Sequence, residues 1–480
     1  MRARFTLELP ESTLPLFLRI AHAITDSIRS GRLREGEDLP STRALSNQLG
    51  VHRKTVVAAY AELRAQGLVI SERARGTFVA RDLPPSPPAR RALPFSEHPG
   101  FHLPSLAAPF TGTPRAPGTL LLLGGVPELR ITWRRELARA YGRALGRSDA
   151  ARLLDYGDPR GEPHLRQALA DLVRRTRGVP APMDGVVVVR GALQGLYLAA
   201  RALLRAGDCV AVEELSHPSA IRVLRLVGAR VEPLPLDAQG LDVEALGALC
   251  ARMAVRAVYL TPHHQLPTTV TLTPPRRKKL LELASRHALV VLEDDYDHEF
   301  HYDGRPTLPL AAADRAGVVV YLGTFSKVLA PGLRVGFVVA PPAVARQLAD
   351  YRTFVDQQGD HVLERAVADL IEEGDLERFI RRARRVYQAR RDVLCEALHA
   401  AIPGLELVRP VGGMAAWVRA PGVDTDIWAE RAYAAGAAFQ PGSIFGVNEA
   451  PAHYARVGFA ACNTRELVEG VRRMALALPR

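Results

Sequence analysis

Apolar residues recur at two spacings in this chain, and the change of spacing divides it. Near the start, Leu16, Ile20, Ile24 and Ile28 recur every four residues, one face of a helix that stops near Gly31. A shorter helix follows the Pro40-Ser41 start signal with Leu45 and Leu49 inward, and Gly50-Val51 makes a tight turn. A third helix begins at His52-Arg53-Lys54-Thr55, runs to about Gln66 and buries Val56, Tyr60 and Leu63. The period then drops to two: residues 68–71 and 77–80 alternate around Glu72-Arg73-Ala74-Arg75-Gly76, which predicts a hairpin. Beyond about residue 118, short apolar runs at 186–189, 209–212, 229–234, 257–260, 289–292 and 318–322 read as strands buried on both faces. Helix-length amphipathic stretches such as 193–204 and 276–287 lie between them. That alternation predicts a mostly parallel sheet covered by helices, with ligands at the carboxyl ends of its strands.

Between the two patterns the periodicity lapses. Pro84, Pro85, Pro87, Pro88, Pro94, Pro99, Pro104, Pro109, Pro114 and Pro117 punctuate a stretch that reads as a semi-rigid, extended linker. The expected organisation is a small module over 12–81, a linker over 82–117 and a large domain over 118–480. A length of 480 residues leaves ample room for a buried core in each. Neither a membrane span nor a signal peptide is expected, because no apolar run approaches the roughly 20 residues a span requires. The four cysteines, Cys209, Cys250, Cys395 and Cys462, are scattered, which suits thiols in a reducing cytoplasm rather than a disulfide frame or a metal centre. No metal site is expected. With 63 Lys and Arg against 51 Asp and Glu, the net charge of +12 favours a polyanionic partner, though only weakly by itself.

The small module adds a sharper signal. Two helices joined by a tight turn, with His52, Arg53, Lys54 and Thr55 on the exposed first turn of the second, have helix-turn-helix geometry. The hairpin with its basic tip is then a wing. A protein-interaction module with a solvated charged face is the plain alternative; the turn spacing and the placement of the basic residues weigh against it.

In the large domain one stretch carries the chemistry, Gly323-Thr-Phe-Ser-Lys327-Val-Leu-Ala-Pro-Gly-Leu-Arg334-Val-Gly336. A lysine just past a strand and a small-hydroxyl loop suits an amine nucleophile toward an aldehyde, with Thr324, Ser326 and Arg334 placed to hold a phosphate. A Schiff base to pyridoxal phosphate (PLP) is the functional reading, and a solvated loop lysine the plain one. The Arg190-Gly191-Ala192 turn opens a helix where backbone N–H groups can meet a phosphate. The acidic run Glu293-Asp294-Asp295-Tyr296-Asp297 could supply a carboxylate to a pyridine nitrogen, bind a metal or lie solvated; alone it does not choose.

The run Leu39-Pro-Ser-Thr-Arg43, then Leu49 to Leu63, then Gly76-Thr-Phe-Val79 resembles the GntR family of winged-helix DNA-binding domains. By that resemblance the DNA contacts are Ser41, Thr42, Arg43, His52, Arg53, Lys54, Thr55, Arg75, Gly76 and Thr77. Tyr156-Gly-Asp-Pro-Arg-Gly161, the acidic run, the lysine stretch and Ala455-Arg456-Val-Gly-Phe459 resemble fold-type I PLP enzymes of the class I/II aminotransferase family. Joined in this order, the two halves look like the MocR/GabR family of bacterial transcription regulators. The implied fold class is multidomain: a winged helix-turn-helix, then an α/β aminotransferase-like domain with a mostly parallel sheet and a smaller α+β subdomain.

The resemblance also assigns roles. Lys327 forms the internal aldimine, Asp294 pairs with the pyridine nitrogen to within one position, and Tyr296 donates to the ring oxygen. Gly191, Ala192, Thr324, Ser326 and Arg334 hold the phosphate, Tyr156 reaches the partner protomer's phosphate, and Arg456 clamps the carboxylate of an amino-acid-like effector. His217 stands where the family stacks an aromatic on the cofactor, able both to stack and to titrate near neutral pH. Ser219 replaces a second arginine of GABA-responsive members, Thr269 replaces a loop glycine, and Arg190 replaces a small residue. The expected protein is a cytoplasmic, PLP-dependent regulator of double-stranded operator DNA. It is expected as a homodimer, domain-swapped head to tail, that senses PLP or an amino compound and keeps at most a half-transamination. A working aminotransferase with the winged helix as a tether is the alternative. The arginine-rich run 378–391 reads as a solvated helix face or as an extra nucleic-acid contact.

Overall fold

The computed structural model describes residues 7, 9, 14–72, 75–83, 98–102, 116–131 and 133–479. Two compact units emerge, Met1–Phe110 and Thr111–Arg480. Most of the expected linker, including Pro84, Pro94, Pro104 and Pro114, and the wing residues Arg73 and Ala74 lie outside the described residues.

The first unit holds α1 (Leu16–Arg29), α2 (Thr42–Leu49) and α3 (Arg53–Ala65). Ile20, Ile24 and Ile28 of α1 and Val56, Tyr60 and Leu63 of α3 are buried in one core with Leu45, as their spacing predicts. Gly50 ends α2 with φ 64°, a left-handed turn that glycine enters without steric penalty. The Tyr60 hydroxyl donates to the Pro40 carbonyl at 2.7 Å and ties α3 to the start of α2. The hairpin is real but has a third member: β1 (Asp38–Leu39) pairs antiparallel with β3 (Gly76–Val79), which pairs with β2 (Val69–Glu72).

In the second unit all six expected strands form: β4 (Val186–Val189), β5 (Cys209–Glu213), β6 (Arg230–Leu234), β7 (Val255–Leu260), β8 (Val290–Asp295) and β9 (Val319–Thr324). Period-two packing is visible in β4, whose Val186 and Val188 join one apolar cluster while Val187 and Val189 join another on the opposite face. A seventh strand, β10 (Gly336–Val339), was not expected; the sheet order is β4-β10-β9-β8-β7-β5-β6. β10 runs antiparallel to both neighbours, so it returns the chain from the lysine stretch to the strand that leads into α4 (Ala192–Leu203). That return places Arg334 beside Gly191.

A smaller four-stranded antiparallel sheet, ordered Glu406–Leu407, Ala415–Arg419, Tyr454–Gly458, Gln440–Pro441, lies between the long helix Asp375–Ala401 and the helix Thr464–Leu476 in sequence. The arginine-rich run is not a simple solvated face. Arg390 donates to the Ala460 carbonyl and pairs with Glu128, and Arg391 holds Asp303 while lying over the Tyr302 ring; both arginines are buried. Arg378 and Arg381 pair with Asp375 and Glu377 on the same helix. Among the described residues no helix is long and apolar enough to cross a membrane.

Candidate functional site

The carboxyl ends of β4, β8 and β9 supply the site. Past β9 the chain turns tightly, with the Thr324 hydroxyl donating to Ser326 Oγ at 3.0 Å and accepting from the Ser326 amide at 3.1 Å. The amides of Val328 and Leu329 both return to the Phe325 carbonyl. This turn projects Lys327, whose ammonium donates to the Gly125 carbonyl at 2.7 Å. Burial, aided by the cationic Arg456, pushes Lys327 down to about 8 against the opposing pull of Asp297 and Asp294. A fraction of the amine is therefore neutral, and nucleophilic, near physiological pH.

A phosphate cradle lies beside it. α4 starts at Ala192 behind Gly191 (φ 80°) with no side-chain cap, leaving first-turn N–H groups for an anion. Arg334, itself left-handed at φ 53°, donates to the Arg190 carbonyl at 2.8 Å. A Cβ at Gly191 would lie 2.7 Å from an Arg334 nitrogen, and one at Gly336 2.7 Å from the Gly191 Cα. Both positions need glycine for the three segments to meet. Arg190 turns its guanidinium outward to Asp356 at 3.2 Å, so the departure in this turn is an ion pair and not an added phosphate ligand.

The acidic run separates by strand alternation. Glu293 accepts from the amides of Leu310 and Ala311. Asp295 accepts from the Tyr321 hydroxyl at 2.7 Å and faces His298 and the buried Arg177, which hold it well below the usual carboxylate range although burial works the other way. Asp297 is engaged by His264 at 2.9 Å. Asp294 points to the side where Lys327 lies, accepts only from Tyr259 at 2.8 Å, and keeps a buried Oδ1 with no partner; burial raises it to about 6. The buried Tyr296 packs on Leu266 and Phe445 and donates to the His264 carbonyl at 3.0 Å.

His217 caps the helix Pro218–Leu226, its Nδ1 accepting from the amides of Ser219 and Ala220. Burial first, then Lys327 and Arg456, depress it to about 4. The expectation that it titrates near neutral pH is therefore corrected: the ring stays neutral, with its Nδ1 lone pair spent on the cap. Arg456 is 2% exposed, and its Nε and Nη2 have no partner. Gly124 lies against that guanidinium, where any Cβ would overlap it, and a Cβ at Gly125 would sit 3.3 Å from Lys327 Nζ. The Gly124 amide is held by Gln440 at 3.0 Å. Neither Gly124, Gly125 nor Gln440 was singled out from sequence; a Gly-Gly pair just after the first apolar residues of the domain was the available signal.

The orphaned carboxylate oxygen at Asp294, the uncapped helix start with its arginine and hydroxyls, and the depressed lysine form a donor set that fits PLP. The unpartnered Arg456 fits a further carboxylate. Tyr156 alone is not brought in: it is 79% exposed, on a segment tied to Gln358 through the Gly157 amide.

In the first unit, Arg43, His52, Arg53, Lys54, Arg75 and Gly76 are exposed, and Thr42, Thr55 and Thr77 half-buried. Ser41 Oγ accepts from the Ala44 amide and His52 Nδ1 from the Lys54 amide, so these two also cap α2 and α3. Arg53 Nε meets Thr42 Oγ1 at 3.3 Å, joining the two helix starts, and Arg75 pairs with Glu72 at 2.7 Å.

Comparison with known proteins places these two units. Residues 129–474 match the aminotransferase class I and II family, and residues 16–79 the bacterial regulatory proteins of the gntR family. The chain is 31% identical to a probable rhizopine catabolism regulatory protein, MocR, of Rhizobium meliloti, over 97% of this chain and 94% of that one. It is 32% identical to the HTH-type transcriptional regulator TauR of Rhodobacter capsulatus, over 96% of each. Among solved structures, the α-aminoadipate aminotransferase LysN of Thermus thermophilus, complexed with N-(5′-phosphopyridoxyl)-L-leucine, superimposes with a TM-score of 0.70 at 31% identity, covering 75% of this chain and 92% of LysN.

Proposed function

Because the chain belongs to the aminotransferase class I and II family and carries a gntR-family module ahead of that domain, as the MocR-type regulators do, we propose that it is a PLP-dependent, DNA-binding transcription regulator. The observation that carries this reading is the presence in one chain of an exposed basic helix-turn-helix and a furnished cofactor site. Bound PLP supplies an aldehyde that amines attack and an electron-poor ring. Lys327 would provide the amine that holds it, Asp294 would keep the ring nitrogen protonated, and Tyr296 would donate to the ring oxygen. Gly191, Ala192, Thr324, Ser326 and Arg334 would bind the phosphate, and His217 would stack on the ring. Arg456, buried with unspent donors, takes the carboxylate of an amino-acid-like effector in a forked contact. Ser219 supplies no second cation near His217, which argues against a GABA-like effector.

The DNA-facing residues are Ser41, Thr42, Arg43, His52, Arg53, Lys54, Thr55 and the wing residues Arg75, Gly76 and Thr77. Their cations position the module on phosphates, and the first turn of α3 reads base edges. The regulator works in the cytoplasm as a head-to-tail homodimer, in which the exposed Tyr156 completes the partner's phosphate site. Effector binding changes DNA affinity only if it favours one arrangement of the dimer over another.

The test is binding of the full-length protein to its own upstream DNA, without PLP, with PLP, and with PLP plus a panel of amino acids. A PLP- or amine-dependent shift in affinity supports the reading; no DNA binding in any state, alongside repeated amino-group exchange between two substrates, overturns it. The intact set of Lys327, Asp294 and Arg456 gives that enzyme alternative its one specific support. As a regulator the protein would stop after at most a single half-transamination.

A further inference from the structure

Behind Tyr296, on the side of Asp297, four histidines converge that the cofactor site does not use. His263 and His264 follow β7, while His298 and His301 follow β8. His263 lies tilted against His264 at 4.2 Å and stacks near His298 at 4.9 Å, and His264 lies parallel to His301 at 5.6 Å, all between ring centroids. We propose that His263, His264 and His301 form a binding site for a divalent transition-metal ion of the zinc class.

Three observations carry this. One ring nitrogen from each residue lies within 4.8 Å of the others, and His264 Nε2 stands 3.3 Å from His301 Nδ1. Zinc–imidazole bonds of about 2.0–2.1 Å in tetrahedral geometry set neighbouring ligand atoms about 3.3 Å apart. Next, His264 Nδ1 is held by Asp297 Oδ1 at 2.9 Å, which leaves Nε2 with its lone pair toward the cluster. That is the carboxylate–histidine arrangement that orients imidazole ligands on metals. Finally, a hydrogen bond between His264 and His301 satisfies those two rings but not His263, which is 3% exposed with neither nitrogen partnered. An imidazole buried with both nitrogens unpaired calls for a partner of its own.

The surroundings agree. The Gly412 backbone packs against His264, and a Cβ there would overlap His264 Nε2, so only glycine leaves that nitrogen uncovered on this side. His301 forms a bridge with Gly412, which puts the cluster where the segment after β8 meets the loop between Glu406–Leu407 and Ala415–Arg419 of the smaller sheet. A donor set of three imidazoles selects zinc, nickel, copper or cobalt over magnesium or calcium. An ion here would clamp the Gly412 loop to the large domain directly behind Tyr296, whose hydroxyl donates to the His264 carbonyl. The expectation of no metal site rested on the scattered cysteines alone; these histidines lie in two distant segments and were not weighed.

The test uses tag-free, full-length, PLP-loaded protein dialysed against zinc and then against metal-free buffer. One zinc per chain is expected by elemental analysis, with X-ray absorption at the zinc edge showing three imidazole nitrogens at about 2.0 Å. His263→Ala and His301→Ala should each lower retained zinc at least tenfold while PLP absorbance persists. Zinc that is not retained, zinc bound by fewer than three imidazoles, or retention unchanged in both variants overturns the site. The absorption measurement decides the matter even if a variant does not fold.

Discussion

Thr269 occupies the left-handed region at φ 66°, the conformation a β-branched residue tolerates least. The missing loop glycine noticed in Gln265-Leu-Pro-Thr-Thr269 is thus a threonine held in glycine's conformation. Relief of the strain should outweigh the entropy that glycine adds to the unfolded chain, so Thr269→Gly should stabilise by about 1 kcal/mol, read as a higher thermal midpoint. A lower midpoint would mean the threonine side chain itself contributes. Lys327 allows a second residue-scale prediction. Its depressed folded value means the neutral amine gains with rising pH up to about 8. The rate of PLP capture by the apoprotein should climb nearly tenfold per pH unit below that value and level off above it. Lys327→Ala should abolish borohydride-stable attachment altogether, and attachment that persists would place the nucleophile elsewhere. The lysine and its arginine were legible because both sit in one local stretch. The neutrality of His217 was not, because it depends on burial and on two cations from distant segments.

At the level of elements, β4, β5 and β9 were readable because they are buried throughout, leaving no polar residue inside their apolar runs, whereas the edge strand β6 exposes Arg230 and half-buries Glu232, less covered than expected. β10 escaped because it is four residues long, opens with glycine and adjoins the lysine stretch without a break. The two-residue strands of the smaller sheet carry too little periodicity to find. The histidine cluster was beyond reach for another reason: two segments become one site only when β7 and β8 lie side by side. α3 carries the prediction at this scale. Its first turn exposes Arg53 next to Thr42, so Arg53→Ala should weaken operator binding about tenfold and reduce the slope of log affinity against log salt by about one, as for loss of a phosphate contact. PLP absorbance should not change; an unchanged DNA affinity would move the contact surface elsewhere.

For the whole molecule, charge and exposure point to two kinds of partner. The basic excess was visible in the composition, but the apolar face was not. Leu154 and Tyr156 are exposed near the end of the helix Pro342–Val355, where Phe354 is 90% exposed, and hydrogen bonds from Gly157 and Gln358 tie the two segments together. A second copy of the chain is the partner that would both cover this face and use Tyr156. Phe354→Asp should shift the protein from dimer to monomer in sedimentation while each chain keeps its fold; a persistent dimer would place the interface elsewhere.

Only seven residues separate Pro117, the last of the punctuating prolines, from Gly125, whose carbonyl accepts from Lys327. Between them Leu120–Leu121 pairs with Ala437–Ala438, and the Leu122 carbonyl accepts from Gly458. The amine proposed to capture the cofactor is therefore also the one bonded to the first described residues after the linker. On the proposed function, PLP held by Lys327 would take that amine from the Gly125 carbonyl, a change at the first described residues after the linker. Faster amide exchange in residues 118–126 on PLP loading, absent in Lys327→Ala, is the signature to look for.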